Sequence, residues 1–523
     1  MTAAGIQNAD KRETFDYVVV GGGTAGCVVA ARLSEDPSVS VCLLEAGPSD
    51  VGDERVLRLD RWMHLLGSGH DWDYPIEPQE RGNSFLRHAR ARVLGGCSSH
   101  NSGIAFWAPA EDLDEWAALG CRGWSAADCF PLYRRLEDND APGEHHGRSG
   151  PVRIRTVAPR DQCGVALLQA CAQAGIPTAE FNAGRTVTRG ANWFQLNARE
   201  DGTRSSASVS YLHPVLGRSN LDVRDNVWVK RLTFDGRRCT GAEYRTPDLV
   251  HSRRVVARRE VILSCGSIDT PKLLMLSGIG PAEHLRDVGV EVLLDAPGVG
   301  ENLQDHPEGI VAWEALAPMP TQSTQFWEIG IFAATSDRLD RPDLMYHYGS
   351  VPFDLNTARW GYPTTENGFC LTPNVTRARS TGTVRLRTRD FRDKPRVDPR
   401  YFTDPHDEQV MLHGVRLARE IAARPALVPW AGRELAPGPD AQSDDDLIDY
   451  LHRTHNTVYH PSCTVPMGAA QRAPLDARLR VKGIDALRVA DGAAMPFLIA
   501  VNPCITTMMI GEKCADMLRE DAC

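Results

Sequence analysis

The chain has 523 residues, 42% of them apolar, enough to bury a large core and to make roughly three or four domain-sized units. Its 58 basic and 68 acidic residues give a formal net charge of −10, which excludes a general attraction to nucleic acid or to an anionic membrane. Fourteen cysteines, without CxxC pairs or regular spacing, argue against a disulfide framework and against a structural zinc site.

The opening segment, "MTAAGIQNADKRETF", lacks the apolar core of a secretory leader, and no run approaches the roughly 20 apolar residues of a membrane span. A soluble cytoplasmic protein is the expectation. "FDYVVVGGGTAGCVVAARLSEDPSVSVCLLEAG" follows and reads as strand, tight turn, helix, strand. Val18 to Val20 are continuously apolar and β-branched, as in a buried parallel strand. Gly21, Gly23 and Gly26 form GxGxxG, where glycines permit the turn, close approach to a pyrophosphate, and helix packing. The helix N-terminus faces the phosphates, and Glu45 ends the second strand where a carboxylate holds a ribose hydroxyl. The motif does not separate NAD from FAD. Its position near the N-terminus, with no second nicotinamide fingerprint, favours FAD.

Further along, "RVLGGCSSHNSG" (92–103) is a loop of small residues with a histidine, His100, in its middle. Gly95, Gly96, Ser98 and their neighbours let the backbone approach something flat, and His100 is either a passive loop residue or attached to what the loop touches. Apolar periodicity predicts helices at 126–138, 164–175, 407–423, 444–455 and 505–521, and extended pieces near 222–234, 240–246 and 256–264. "GSIDTPKLLMLSGIGP" (266–281) reads as a helix started by Pro271 with a glycine-rich exit. "THNTVYHPSC" sets His460 before a proline, which biases it to extended backbone. "VNPCITTMMIGEKCADML" places Asn502 at an N-cap and Pro503 at the first position of the last helix.

Together these four ordered blocks resemble the glucose–methanol–choline (GMC) flavoprotein oxidoreductases along nearly the whole chain. Phrases such as "NSFLRHARARVLGGCSSHNSGIAFWAP", "DHPEGIV", "YHYGSVPFD" and "THNTVYHP" are similar to the choline-oxidising members. The resemblance implies an α/β fold (α+β overall). A discontinuous, Rossmann-like FAD-binding domain would take 1–158, 199–305 and 458–523. A substrate-binding domain with a largely antiparallel sheet would take 159–198 and 306–457.

The resemblance also implies roles. His100 is the covalent tether to the flavin 8α-methyl group; Asn101, Asp491, Asn502 and Pro503 join the glycines, Ser98 and Glu45 at the cofactor. His460 is the base that takes the hydroxyl proton, since histidine titrates near neutral pH. Asn502 stabilises the developing alkoxide, and the last helix's N-terminus favours negative charge on the flavin. Glu308 meets the trimethylammonium of choline within aromatic walls of Trp62, Trp327 and Tyr459; Ser102 and His347 touch the alcohol or the transition state. The expected partners are choline and oxygen, with no metal, nucleic acid or membrane, and a homodimer. The expected activity is oxidation of choline through betaine aldehyde to glycine betaine, with hydrogen peroxide formed. Rivals are an alcohol oxidase or dehydrogenase of the same family acting on a non-quaternary alcohol, and a flavin-bearing protein without redox turnover. Cys463, Pro466, Phe497, Cys504 and Gly103 depart from the usual residues of the choline-oxidising members and are expected to cluster around the site.

Overall fold

The computed structural model describes residues 13–157, 161–182, 187–246 and 252–522. The first twelve residues of the opening segment, and the expected domain boundary at 158 and 159, lie outside the described residues.

Strand β1 (Thr14–Val20), helix α1 (Thr24–Leu33) and strand β2 (Val41–Leu44) form the expected unit, both strands almost wholly buried. β1 runs parallel to β2 on one side and to Ser252–Leu263 on the other, with Val18 level with Cys42 and with Val261. At the turn, Gly21 has φ +101, and a Cβ there would lie 2.4 Å from the Ser264 carbonyl oxygen. Gly26 is as constrained, since a Cβ would come within 1.9 Å of the Gly21 oxygen. Any side chain at either position pushes α1 off the sheet.

The seven-stranded sheet runs Trp228–Asp235, Arg238–Arg245, Ser252–Leu263, β1, β2, Leu221–Arg224, with Leu487–Val489 beside Ser252–Leu263. The piece expected at 222–234 is therefore two strands, at opposite edges. Asn226, with φ 54, turns the chain between them, and the 226 and 227 amides bond the Gly47 and Glu45 carbonyls beneath the end of β2.

All five expected helices are present, at Ala126–Leu136, Gln162–Gln173, Pro405–Ala422, Asp444–Thr454 and Cys504–Ala522. Ser125 and Ser443 each close a capping box with an aspartate three residues on. Pro271 does not start its helix. It lies inside Gly266–Leu276, and the carbonyl its ring leaves without an amide partner, that of Ser267, accepts the Thr464 hydroxyl at 2.7 Å.

The second sheet has eight strands paired antiparallel; six run in the order Ala431–Ala436, Val311–Ala315, Gly368–Val375, Leu344–Gly349, Trp327–Ala333, Gly190–Trp193, and the short strands Pro307–Glu308 and Asn456–Thr457 pair beside Gly368–Val375. This is the largely antiparallel sheet anticipated above. The short strand Pro307–Glu308 sits between Asn374 and Asn456, which places Glu308 on the wall facing the dinucleotide unit. Helix Cys504–Ala522 packs on α1, and its buried Glu512 accepts hydrogen bonds from Arg32, Arg135 and the Tyr211 hydroxyl. Among the described residues no helix is long and apolar enough to cross a membrane.

Candidate active site

A cavity of about 300 Å³ runs from the α1 turn to the antiparallel sheet. Gly21, Gly23 and Glu45 line one end, His100, Asn101 and Ser102 the middle, and Glu308, Trp327 and Tyr459 the other end. Glu45 receives the Gly22 amide at 2.8 Å and the Gly47 amide at 2.7 Å; burial nonetheless pushes its carboxyl up to about 7. A carboxylate so poorly solvated gains from further hydroxyl donors, as a ribose provides. Asp491, buried and lining the same cavity, accepts from the Gly266 amide and the Thr270 hydroxyl. The cradle of amides, glycines and acid fits a dinucleotide.

Three residues expected at the cofactor do not reach this cavity. Ser98 is buried and turned inward, donating to the Gly95 carbonyl at 2.6 Å and accepting the Ala207 amide at 2.9 Å. It stiffens the loop. Gly95 and Gly26 shape the turn and the helix packing behind the wall. Gly96, Asn101, Asn502 and Pro503 do line it.

His100 follows the short helical turn Gly96–Ser99. Its Nε2–H donates to the Leu65 carbonyl at 3.1 Å, and Asp71 stands 3.9 Å away. Burial lowers its pKa to about 3, so the ring is neutral.

His460 and Asn502 meet across the cavity, Asn502 Nδ2 lying 3.4 Å from His460 Nε2. The helix begins at Cys504 and the Thr507 amide bonds the Pro503 carbonyl, so Pro503, not Asn502, occupies the cap position. The Asn502 side chain is thereby free to face the site; its buried Oδ1 has no protein partner. Burial, helped by the nearby His306, His347 and Arg90, holds the His460 imidazole well below its ordinary value.

The turn that presents His460 is held from several sides. Tyr459 has φ 61, strained for an aromatic residue. Its amide donates to Thr457 Oγ1 at 2.8 Å, its carbonyl accepts Arg90 Nη2 at 2.7 Å, and the His460 amide donates to Asp305 Oδ1 at 2.9 Å. Tyr401 and Thr457 bond the other oxygen of Asp305. His306 Nδ1 lies 3.0 Å from His460 Nδ1, and burial lowers the His306 pKa to about 4. Neither Asp305 nor His306 stood out in the sequence. Their signal lies in "DHPEGIV", beside Glu308.

At the far end Glu308 is 5% exposed. His347 Nδ1 stands 3.6 Å from its carboxylate, and Asn456 Nδ2 donates to it at 3.2 Å. Asn456 was also missed; it accepts a bond from Asn356 at 3.2 Å, linking Glu308 to the 351–362 loop. Trp62 and Trp327 meet edge to face at 5.3 Å, and Phe353 packs edge-on against Trp327 at 5.3 Å. Trp62 Nε1 is satisfied by the Gln325 carbonyl, so its ring is fixed. Ser102, His347 and Tyr459 line the same space.

Of the departures, only Cys504 reaches the cavity. Phe497 packs against Trp116, Cys463 is fully buried behind Gln304, and Gly103 is buried against Leu59. Pro466 offers its carbonyl to the Leu475 amide. The expected clustering around the site thus reduces to one residue.

The N-terminal and C-terminal profiles of the GMC oxidoreductase family match residues 15–308 and 378–511. The sequence is 65% identical to choline oxidase of Arthrobacter globiformis, covering 98% of this chain and 96% of that protein. It is 35% identical to human mitochondrial choline dehydrogenase, covering 98% and 91%. Among solved structures, pyridoxine 4-oxidase from Mesorbium loti superposes with a TM-score of 0.91 at 31% identity, covering 97% and 99%.

Proposed function

The chain belongs to the GMC oxidoreductase family, and on that premise we propose that it uses FAD to oxidise choline, through betaine aldehyde and its hydrate, to glycine betaine, with oxygen reduced to hydrogen peroxide. One observation carries the substrate reading. A buried carboxylate, Glu308, shares an aromatic-walled cavity with a neutral histidine and an amide, His460 and Asn502. A trimethylammonium group donates no hydrogen bonds, so it is recognised by charge and by aromatic faces, and this end of the cavity offers both. The identity to the Arthrobacter protein supports the same reading.

FAD, when bound, accepts a hydride at N5. The remaining work falls to side chains. His460 takes the hydroxyl proton; with His460 donating from Nδ1 to His306 Nδ1, its Nε2 lone pair is the base. Asn502 donates to the alkoxide oxygen as charge develops there. Glu308, Trp62, Trp327 and Tyr459 fix the ammonium end, which aims the carbinol carbon at the flavin, and His347 and Ser102 border the reacting oxygen. His100, neutral and on the cavity wall, would hold the flavin through its 8α position. A homodimer and a cytoplasmic location complete the proposal.

The test is anaerobic addition of choline to purified protein, followed by oxygen uptake. Rapid bleaching of the visible flavin bands, then choline-dependent oxygen consumption, is expected. Flavin that bleaches with simple alcohols but not with choline would overturn the substrate assignment.

A further inference from the structure

Arg204 is 1% exposed. Its Nε donates to the Val56 carbonyl at 2.9 Å, and its Nη1 to the Asn101 carbonyl and, at 3.5 Å, to Asn101 Oδ1. Nη2 has no hydrogen-bond partner, and among the described residues no carboxylate comes within ion-pair distance. Arg488, equally buried, shows the usual solution, since Glu260 and Asp521 both pair with it. Burial pulls the Arg204 pKa down to about 9, so the group stays charged at neutral pH. An isolated buried cation is costly to hold and is ordinarily paired.

What Arg204 touches is the cofactor wall. Asn101 follows the tether residue directly and lines the cavity. The guanidinium also acts on two further residues of that wall: it adds to the burial that lowers the His100 pKa, and it offsets part of the burial that raises the Cys504 thiol to about 12. Asp60, which pairs with Arg58, acts on it only from beyond ion-pair distance, so the charge stands behind the cavity wall without a salt-bridge partner.

We propose that Arg204 is an electrostatic positioning residue of the cofactor site: its unpaired guanidinium, fixed beneath His100–Ser102 by the Val56 and Asn101 carbonyls, favours the reduced, negatively charged flavin over the neutral oxidised one. This rests on the flavin reading above. It gives the buried cation a use that hydrogen bonding to two carbonyls does not require, because a neutral donor serves carbonyls as well. At an effective dielectric near 20, a unit charge acting over a range of about 10 Å would change such an equilibrium by roughly tenfold.

The test compares Arg204→Met with Arg204→Lys, each as holoprotein, using sulfite binding and the two-electron midpoint potential. Sulfite adds to flavin to give an anion and so reports the same charge preference without turnover. Arg204→Met should weaken sulfite binding about tenfold and lower the midpoint by the equivalent of roughly 30 mV; Arg204→Lys, which keeps the charge and loses the fork, should stay within about threefold of the unmutated protein. Unchanged sulfite affinity in Arg204→Met overturns the proposal. Equal weakening in both variants also overturns it, since the fork's geometry and not its charge would then matter. If Arg204→Met does not fold, Arg204→Lys alone decides, its loss of sulfite affinity refuting the charge role. Unmutated protein that carries no flavin would instead refute the flavin reading itself.

Discussion

Glu308→Gln changes the charge at the far end of the cavity and almost nothing else. The amide has nearly the shape of the carboxylate and can still accept from Asn456, now 3.2 Å away. Among the described residues no lysine or arginine pairs with Glu308; its nearest polar neighbours are the His347 imidazole and the Asn456 amide. At about 5 Å and an effective dielectric near 20, the attraction to a trimethylammonium is about 3 kcal/mol. Stripping water from the ammonium offsets part of this, leaving about 1–3 kcal/mol, or roughly tenfold to a hundredfold in affinity. The assay is the substrate dependence of anaerobic flavin reduction for choline and for its uncharged isostere 3,3-dimethylbutanol, at one ionic strength. Choline should weaken by that factor and the isostere hardly at all. Equal weakening of both would make Glu308 a residue of the wall and not of recognition. No weakening of either would mean that the quaternary ammonium is not what this pocket reads.

His100→Asn should release FAD into the supernatant on acid precipitation, whereas the unmutated protein should keep its colour in the pellet; colour wholly in the supernatant from unmutated protein would sink the tether. His460→Ala should slow flavin reduction by choline at least about 10²-fold while flavin stays bound; a near-normal rate would move the base elsewhere, with His347 next in line. Stability should fall in acid through the buried histidines His88, His306 and His455, whose folded pKa values lie near 3, 4 and 4. The unfolded chain binds protons on these rings below about pH 6.5 and the folded chain does not, so their contribution is complete above that pH and is lost as pH falls toward the folded values. Between pH 7 and 5 each costs about 2 kcal/mol, and urea unfolding midpoints that stay constant over that interval would refute the assignment.

Short-range signals carried most of what the sequence told. The β1–α1–β2 unit, the five helices and the four motif blocks are each local patterns, and periodicity or glycine spacing reveals them directly. The errors came where a local rule met a distant partner. Pro271 reads as a helix start until Thr464, nearly two hundred residues on, takes the carbonyl it frees. Asn502 reads as a cap because the residue type suits one, yet the chain spends Pro503 on that position and turns the amide to His460. Ser98 looks like a cofactor contact from its place among glycines, but Ala207 claims its hydroxyl. Asp305, His306, Asn456 and Arg204 were invisible for the same reason, since each acts through a contact more than a hundred residues away.

The buried Glu512 cluster ties α1 to the last helix, and the cavity draws on Gly21 at one side and Asn502 at the other. In time, these are the first and last parts of the site to be made. At roughly 5–20 residues per second, about half a minute to a minute and a half separates the emergence of the dinucleotide turn from that of the helix that closes over it. Throughout that interval the apolar floor of β1 and β2 has no roof, and a flavin resting on it has nothing to hold its far side. Enclosure of the cofactor, and any bond from His100 to it, therefore waits for the helix Cys504–Ala522.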